Sequence, residues 1–109
     1  MAQISIDQFK QVEMRVGLVV EASEVEKSTK LIKLIVDFGL DDKRVIFTAV
    51  RLFGYTPEYF LNKKFIFVTN LEYKKITGEE SRGMILAVGE EKPIFVIPAE
   101  EVVVGSKVR

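Results

Sequence analysis

The sequence predicts an all-β domain, a small Greek-key barrel with one short helix between its third and fourth strands and extra strands toward the C-terminus. Three observations carry that reading. Apolar residues alternate with polar ones at period two through residues 14–25 and again through 30–39. Further short apolar runs recur at close spacing, separated by turns rich in Gly, Pro, Asn and Asp. The chemistry of a helix start, "YTPE", occurs after the third of these runs. A chain of 109 residues can bury one core and not two, so residues 1–109 are read as a single domain.

The elements follow in order. "SIDQ" at residues 5–8 reads as a capping box, with Ser5 accepting from the Gln8 amide and the Gln8 side chain reaching back, and a helical turn runs from there to about residue 11. "MRVGLVVEASEV" places Val16, Leu18, Val20 and Ala22 on one face of a long strand. Gly17 inside it marks either a bulge where a closing sheet bends or a close approach to the backbone. "KLIKLIVDFG" is the second strand, with Ile32, Leu34 and Val36 on one face and Lys33 on the other. Residues 44–50 form the third, paired as a hairpin across "GLDDK". In "YTPEYFLNKK", Thr56 is the N-cap, Pro57 the first helical residue, Glu58 lies in the first turn, and Lys63 and Lys64 stand at the end. Residues 65–70, 84–89, 93–97 and 101–105 complete a set of six or seven strands. Three strands, a helix, then more strands is the element order of an OB-fold barrel.

Composition excludes much chemistry. With no Cys and no His, the chain cannot build a thiol nucleophile, a Cys/His zinc site or a triad with an imidazole base, so no enzymatic activity, metal or cofactor is expected. The longest apolar run is far short of the roughly 20 residues of a membrane span, and the N-terminus lacks secretory-signal character, so the cytoplasm is the expected location. Lys+Arg and Asp+Glu are equal at 16 each, so binding to a polyanion requires a local patch.

Several strings together resemble the tRNA-binding domain family: "EMRVG" at residues 13–17, the second strand, "YTPE", and above all "NL…KI.G..S.GM" across residues 70–84, with "PAEEVVVGSKV" similar to the family's closing segment. The family includes the C-terminal domain or detached beta subunit of methionyl-tRNA synthetase, stand-alone dimeric tRNA-binding proteins and the EMAP-like domains. The resemblance implies an OB-fold that grips the outer corner of tRNA by shape and charge, as a homodimer acting alone or beside a methionyl-tRNA synthetase catalytic chain. In the segment 70–84, Asn70, Leu71, Lys75, Gly78, Ser81, Gly83 and Met84 match the family pattern, whereas Glu72 and Tyr73 stand where Lys and Pro are usual, and Thr48-Ala49 replace Ser-Gly. The secretion chaperone CsaA is similar to the same family and supplies the alternative, a module that holds unfolded polypeptide. A binder of oligosaccharide or single-stranded DNA is a third possibility on this fold.

Base-independent RNA binding needs cations spaced for phosphates, neutral donors for 2′-hydroxyls and an aromatic face for a splayed base. Lys27, Lys30 and Lys33 offer charge around the second strand, and Lys74, Lys75 and Arg82 in the loop after the fourth, with Asn70 and Ser81 as donors and Tyr73 as stacker. Arg15 either faces this cleft or pairs with Glu13, and Met84 is read both as a contact and as a core side chain. The loop is neutral by count, with three cations and three carboxylates across residues 70–84, which also fits plain solvation. The surplus apolar surface, with Phe9, Val12, Leu31, Ile35, Ile97 and Val103 as its members, predicts a dimer interface.

Overall fold

In a computed structural model describing residues 1–109, the chain runs α1 (Ile6–Phe9), β1 (Met14–Glu24), β2 (Ile32–Asp37), β3 (Lys43–Thr48), a 3-10 turn (Arg51–Phe53), α2 (Pro57–Phe60), β4 (Lys64–Val68), β5 (Lys74–Ile76), β6 (Glu79–Ser81), β7 (Met84–Ile85), β8 (Ala87–Val88) and β9 (Ile94–Phe95). Strand alternation builds the barrel from β2 outward. Ile32, Leu34 and Val36 are fully buried, and Lys33, Ile35 and Asp37 turn to the outer side. β1 and β3 flank β2 antiparallel, β4 pairs with β1, and β7 pairs with β4, giving the order β3-β2-β1-β4-β7. The sheet closes where the Arg82 amide donates to the Val45 carbonyl of β3 at 2.8 Å. This is the predicted OB-fold barrel with its helix between β3 and β4. No helix in it is long and apolar enough to cross a membrane.

Phe60, Phe65, Phe67, Phe38, Phe95 and Tyr55 fill the interior together with the β2 aliphatics. The capping box at Ser5 is present in both directions, at 3.0 Å and 2.8 Å, so α1 begins as its sequence requires.

Four expectations are corrected. Of the face Val16–Leu18–Val20, Val16 is buried outside the central cluster and Leu18 and Val20 are only half-buried. Gly17 and Val19 point inward, a register shift between Val19 and Glu21 reverses the alternation, and Ala22 then packs against the core. The bulge is therefore at Val20, and Gly17 answers to close approach: a Cβ there would lie 2.5 Å from Val36 Cγ1. The helix at "YTPEYFLNKK" is one turn, ending at Phe60, and the Thr56 side chain makes no cap bond. Asn62 then takes a left-handed φ of 62° and its amide donates to the Val19 carbonyl, leaving Lys64 to start β4.

The strand expected over residues 84–89 is split at Leu86, whose amide donates to Ile66 and whose carbonyl accepts from Val96, so the chain crosses over β4 to form the β8–β9 hairpin. Residues 101–105 are not a strand. Gly105 sits at φ +89°, where a strand cannot continue, and its amide donates to the Val16 carbonyl; only Lys107 makes a bridge, to Arg15.

Candidate nucleic-acid interface

The polar stretch 70–84 is an ordered β-hairpin and not an irregular loop. β5 and β6 pair as Lys74↔Ser81, Lys75↔Glu80 and Ile76↔Glu79 across a Thr77-Gly78 turn in which both residues take positive φ. Two-residue alternation then sorts the side chains. Lys75 and Glu80 share one face with Tyr73 and Arg82, which come opposite each other one pair further on, and the Arg82 guanidinium lies over the Tyr73 ring at 5.1 Å. Lys74 and Ser81 take the other face. The adjacent lysines of "KK" are therefore separated by the strand itself.

Tyr73, Lys75, Glu80 and Arg82, with Lys43 and Val45 of β3, line an open groove of about 560 Å³. Its carboxylates are engaged: Glu79 reaches Lys33 on the outer face of β2 at 3.0 Å, and Glu80 reaches Arg82 at 3.5 Å. Lys43 and Lys75 have no acidic partner within 4.0 Å, so they are the groove's uncompensated charges. Lys43 was not among the sequence candidates. Its signal was the alternation of β3, in which it shares the side of Val45, but it reads in sequence as part of a turn.

Three sequence candidates turn out to hold the hairpin in place. Ser81 is buried, and its hydroxyl accepts the Phe47 amide at 3.1 Å, fastening β6 to β3. Asn70 accepts the Glu13 amide at 2.8 Å and donates to the Gln11 carbonyl at 2.6 Å, tying the hairpin's first stem to the N-terminal segment. Arg15 pairs with Asp42 at 2.9 Å and with Glu13 at 3.3 Å, so its charge is spent at the barrel end. Beside it Arg44 binds Asp42 and donates to the Thr69 carbonyl at 2.6 Å and the Arg82 carbonyl at 3.2 Å. One guanidinium thus grips both stems of the segment between Thr69 and Arg82. Both arginines lie over the Phe38 ring, at 5.0 and 5.5 Å, closing the barrel with charge on an aromatic face.

This cluster gives a pH dependence with a definite sign. The hydrogen bond from Arg44, followed by that from Arg15, holds the Asp42 carboxyl below its ordinary value, and the Thr69 hydroxyl, aided by Arg15, does the same for Glu13. A carboxyl lowered in the folded state stabilises the fold above its unfolded value and loses that contribution as pH falls through the folded one. Asp42→Asn is therefore expected to melt below the wild type at neutral pH, with the gap narrowing as pH drops below the ordinary Asp42 value of 3.8. Thermal melts of both proteins at several pH values check this, and a gap that does not change with pH would refute it.

The other candidates lie elsewhere. Lys27 and Lys30 are exposed on the β1–β2 loop, which is organised by the Ser28 hydroxyl accepting the Lys30 and Leu31 amides at 3.1 Å. Arg51, absent from the sequence candidates, fixes this loop by donating from Nη1 to the Ser28 carbonyl at 2.5 Å and pairing with Glu24 at 3.2 Å. Met84 is half exposed on β7 and not a core side chain. The six residues assigned to a dimer interface are spread over several hollows. Phe9 and Val12 line a hollow of about 340 Å³ with Ile6, Met14 and Val108; Ile35 lies beside Val20 and Leu61; Ile97 and Val103 line two further clefts, and Leu31 lies in none of these.

Comparison with known proteins agrees with this fold. A family described as "Putative tRNA binding domain" matches residues 14–107. The methionine–tRNA ligase of Methanococcus aeolicus is 44% identical over 108 residues, which is 99% of this chain and 16% of that protein, so the chain spans about a sixth of the curated relative's length. A crystal structure of a MetRS related protein from Pyrococcus horikoshii superposes with a TM-score of 0.91 at 42% identity, covering 100% of both chains. The chaperone CsaA of Bacillus anthracis shares the fold, with a TM-score of 0.86 at 24% identity over 99% of this chain and 100% of that one. A barrel of this topology, a hairpin carrying the matched Asn, Lys, Ser and Gly-Met positions, and a family match across nearly the whole length lead to one statement: the chain belongs to the tRNA-binding domain family.

Proposed function

We propose that this chain binds folded tRNA at its outer corner through the groove between β3 and the β5–β6 hairpin, reading shape and phosphate charge rather than sequence. The observation that carries this is the groove's charge balance: its two carboxylates are engaged by Lys33 and Arg82, while Lys43 and Lys75 are free to meet phosphates. Lys27 and Lys30 are exposed on the β1–β2 loop, outside the groove, and offer a separate pair of cations. The chain acts without chemistry of its own, in the cytoplasm, alone or as the tRNA-binding subunit of a methionyl-tRNA synthetase, a pairing supported by its likeness to methionine–tRNA ligases. Two copies meet through the apolar hollow of Ile6, Phe9, Val12 and Val108, doubling the cations offered to one tRNA.

The test is a titration against folded tRNA and duplex DNA across a salt series. Expected are a preference for tRNA and a steep loss of affinity with salt, with Lys43→Ala and Lys75→Ala each lowering the slope by about one. Equal affinity for the two nucleic acids, or indifference to salt, would remove the proposal. A second reading, a holdase for unfolded polypeptide, is favoured by the exposed apolar residues Leu71, Tyr73 and Met84 in the same segment. Suppression of a denatured client's aggregation at stoichiometric amounts, with no retention of tRNA, would decide for it.

A further inference from the structure

Tyr73 has a placement that phosphate binding alone does not use. It is about half exposed, and a charged groove would accommodate a smaller residue there equally well. One face of its ring is taken by the Arg82 guanidinium at 5.1 Å, and Arg82 is itself held by Glu80 and by its backbone bonds to Val45 and Arg44. The ring is therefore backed on one face by a cation, while its half exposure leaves surface open to a ligand. Lys43 and Lys75 line the same groove.

We infer that Tyr73 is a stacking platform for an unpaired RNA base, with Arg82 behind the ring and Lys43 and Lys75 placed for the phosphates on either side. This deepens the tRNA reading and rests on it. A base inside a continuous duplex has both faces covered by its neighbours, so only a splayed, looped or terminal base can lie on the ring. The groove accordingly selects RNA that presents such a base beside a bend of backbone and discriminates against uninterrupted helix. The paired Arg–Tyr geometry also explains why an aromatic is compatible with this position although the neighbouring residue is the acidic Glu72, which is exposed and lies outside the groove.

Wild type, Tyr73→Ala and Tyr73→Phe are titrated against a folded tRNA transcript and an uninterrupted RNA duplex of the same nucleotide count, at several salt concentrations. Tyr73→Ala is expected to weaken tRNA binding on the order of tenfold with the salt slope unchanged, because a stacking contact and no phosphate contact is lost. Tyr73→Phe should stay within about twofold of wild type, since the ring is kept, and neither change should alter duplex binding. Irradiation with 5-iodouridine-substituted tRNA should cross-link Tyr73, read by mass spectrometry of the peptide. Wild-type affinity for tRNA in Tyr73→Ala overturns the stacking proposal and leaves the tRNA reading standing. Equal losses on tRNA and duplex also overturn it, because Tyr73 would then act only by holding Arg82. A wild-type protein with no preference for tRNA overturns both.

Discussion

Phe60→Ala is expected to lower the unfolding free energy by about 3–5 kcal/mol, the range for removing a fully buried ring that its neighbours cannot replace. α2 is a single turn without a side-chain cap, far too short to persist alone, so it is held by what it buries. It buries Phe60, which is wholly inaccessible and whose ring centroid lies 5.1 Å from Phe95, 5.1 Å from Tyr59, 5.6 Å from Phe65 and 5.9 Å from Tyr55. These rings come from the helix and its approach, from β4 and from β9, so one cavity would loosen three elements at once. Domains of this size hold about 5–15 kcal/mol in total, and the variant would be left marginal. Urea denaturation should show a lower midpoint at an unchanged slope, with Phe60→Leu falling between it and wild type. A cost for Phe60→Ala below about 1 kcal/mol would show that the aromatic layer can collapse around the gap.

Gly17→Ala is the second large effect, opposite in kind because it adds an atom. The Cβ would stand 2.5 Å from Val36 Cγ1, 2.7 Å from Phe38 Cε1 and 2.9 Å from Phe67 Cδ2. None of these can swing aside: Val36 is short and branched, and the two rings are locked edge to face at 5.4 Å. Replacing glycine ordinarily stabilises by reducing the freedom of the unfolded chain, by about 0.4–1 kcal/mol. Overpacking costs about 1–3 kcal/mol and wins, for a net loss of about 1–2 kcal/mol and a melting temperature lower by about 5–10 °C. A variant that melts at or above the wild-type temperature would show that β1 can move away from β2. Phe38 also carries Arg15 and Arg44 on its ring, so the strain is expected to reach the hairpin stems that Arg44 grips.

Much of the fold was legible because strand alternation is a local property. Ile32, Leu34 and Val36 on one face of β2, the Ser5 capping box and the helix start at Pro57 all follow from neighbours in sequence, and all are present. The inner face of β1 was not legible. Val16, Leu18 and Val20 fit the pattern equally well on either side of the sheet, and the bulge at Val20 that reverses the alternation is set by pairing with β2. "EVVV" has the composition of a strand, but a strand needs a partner, and Gly105 turns the chain across Val16 instead.

The same division runs through the site. Sequence alone determined the barrel, the helix between its third and fourth strands, the absence of any imidazole or thiol chemistry, and the family to which residues 70–84 point. Tertiary structure decided which of its charges are free. Ser81 accepts a backbone amide from 34 positions away, Asn70 donates to a backbone carbonyl 59 away, and Arg15 meets the Asp42 carboxylate 27 away. Lys33 is answered by Glu79, and Lys43, inconspicuous in its turn, is left uncompensated beside Lys75. The physical reason is that a side chain's type is written locally, whereas its partner is supplied by whichever strand the closure of the barrel sets against it.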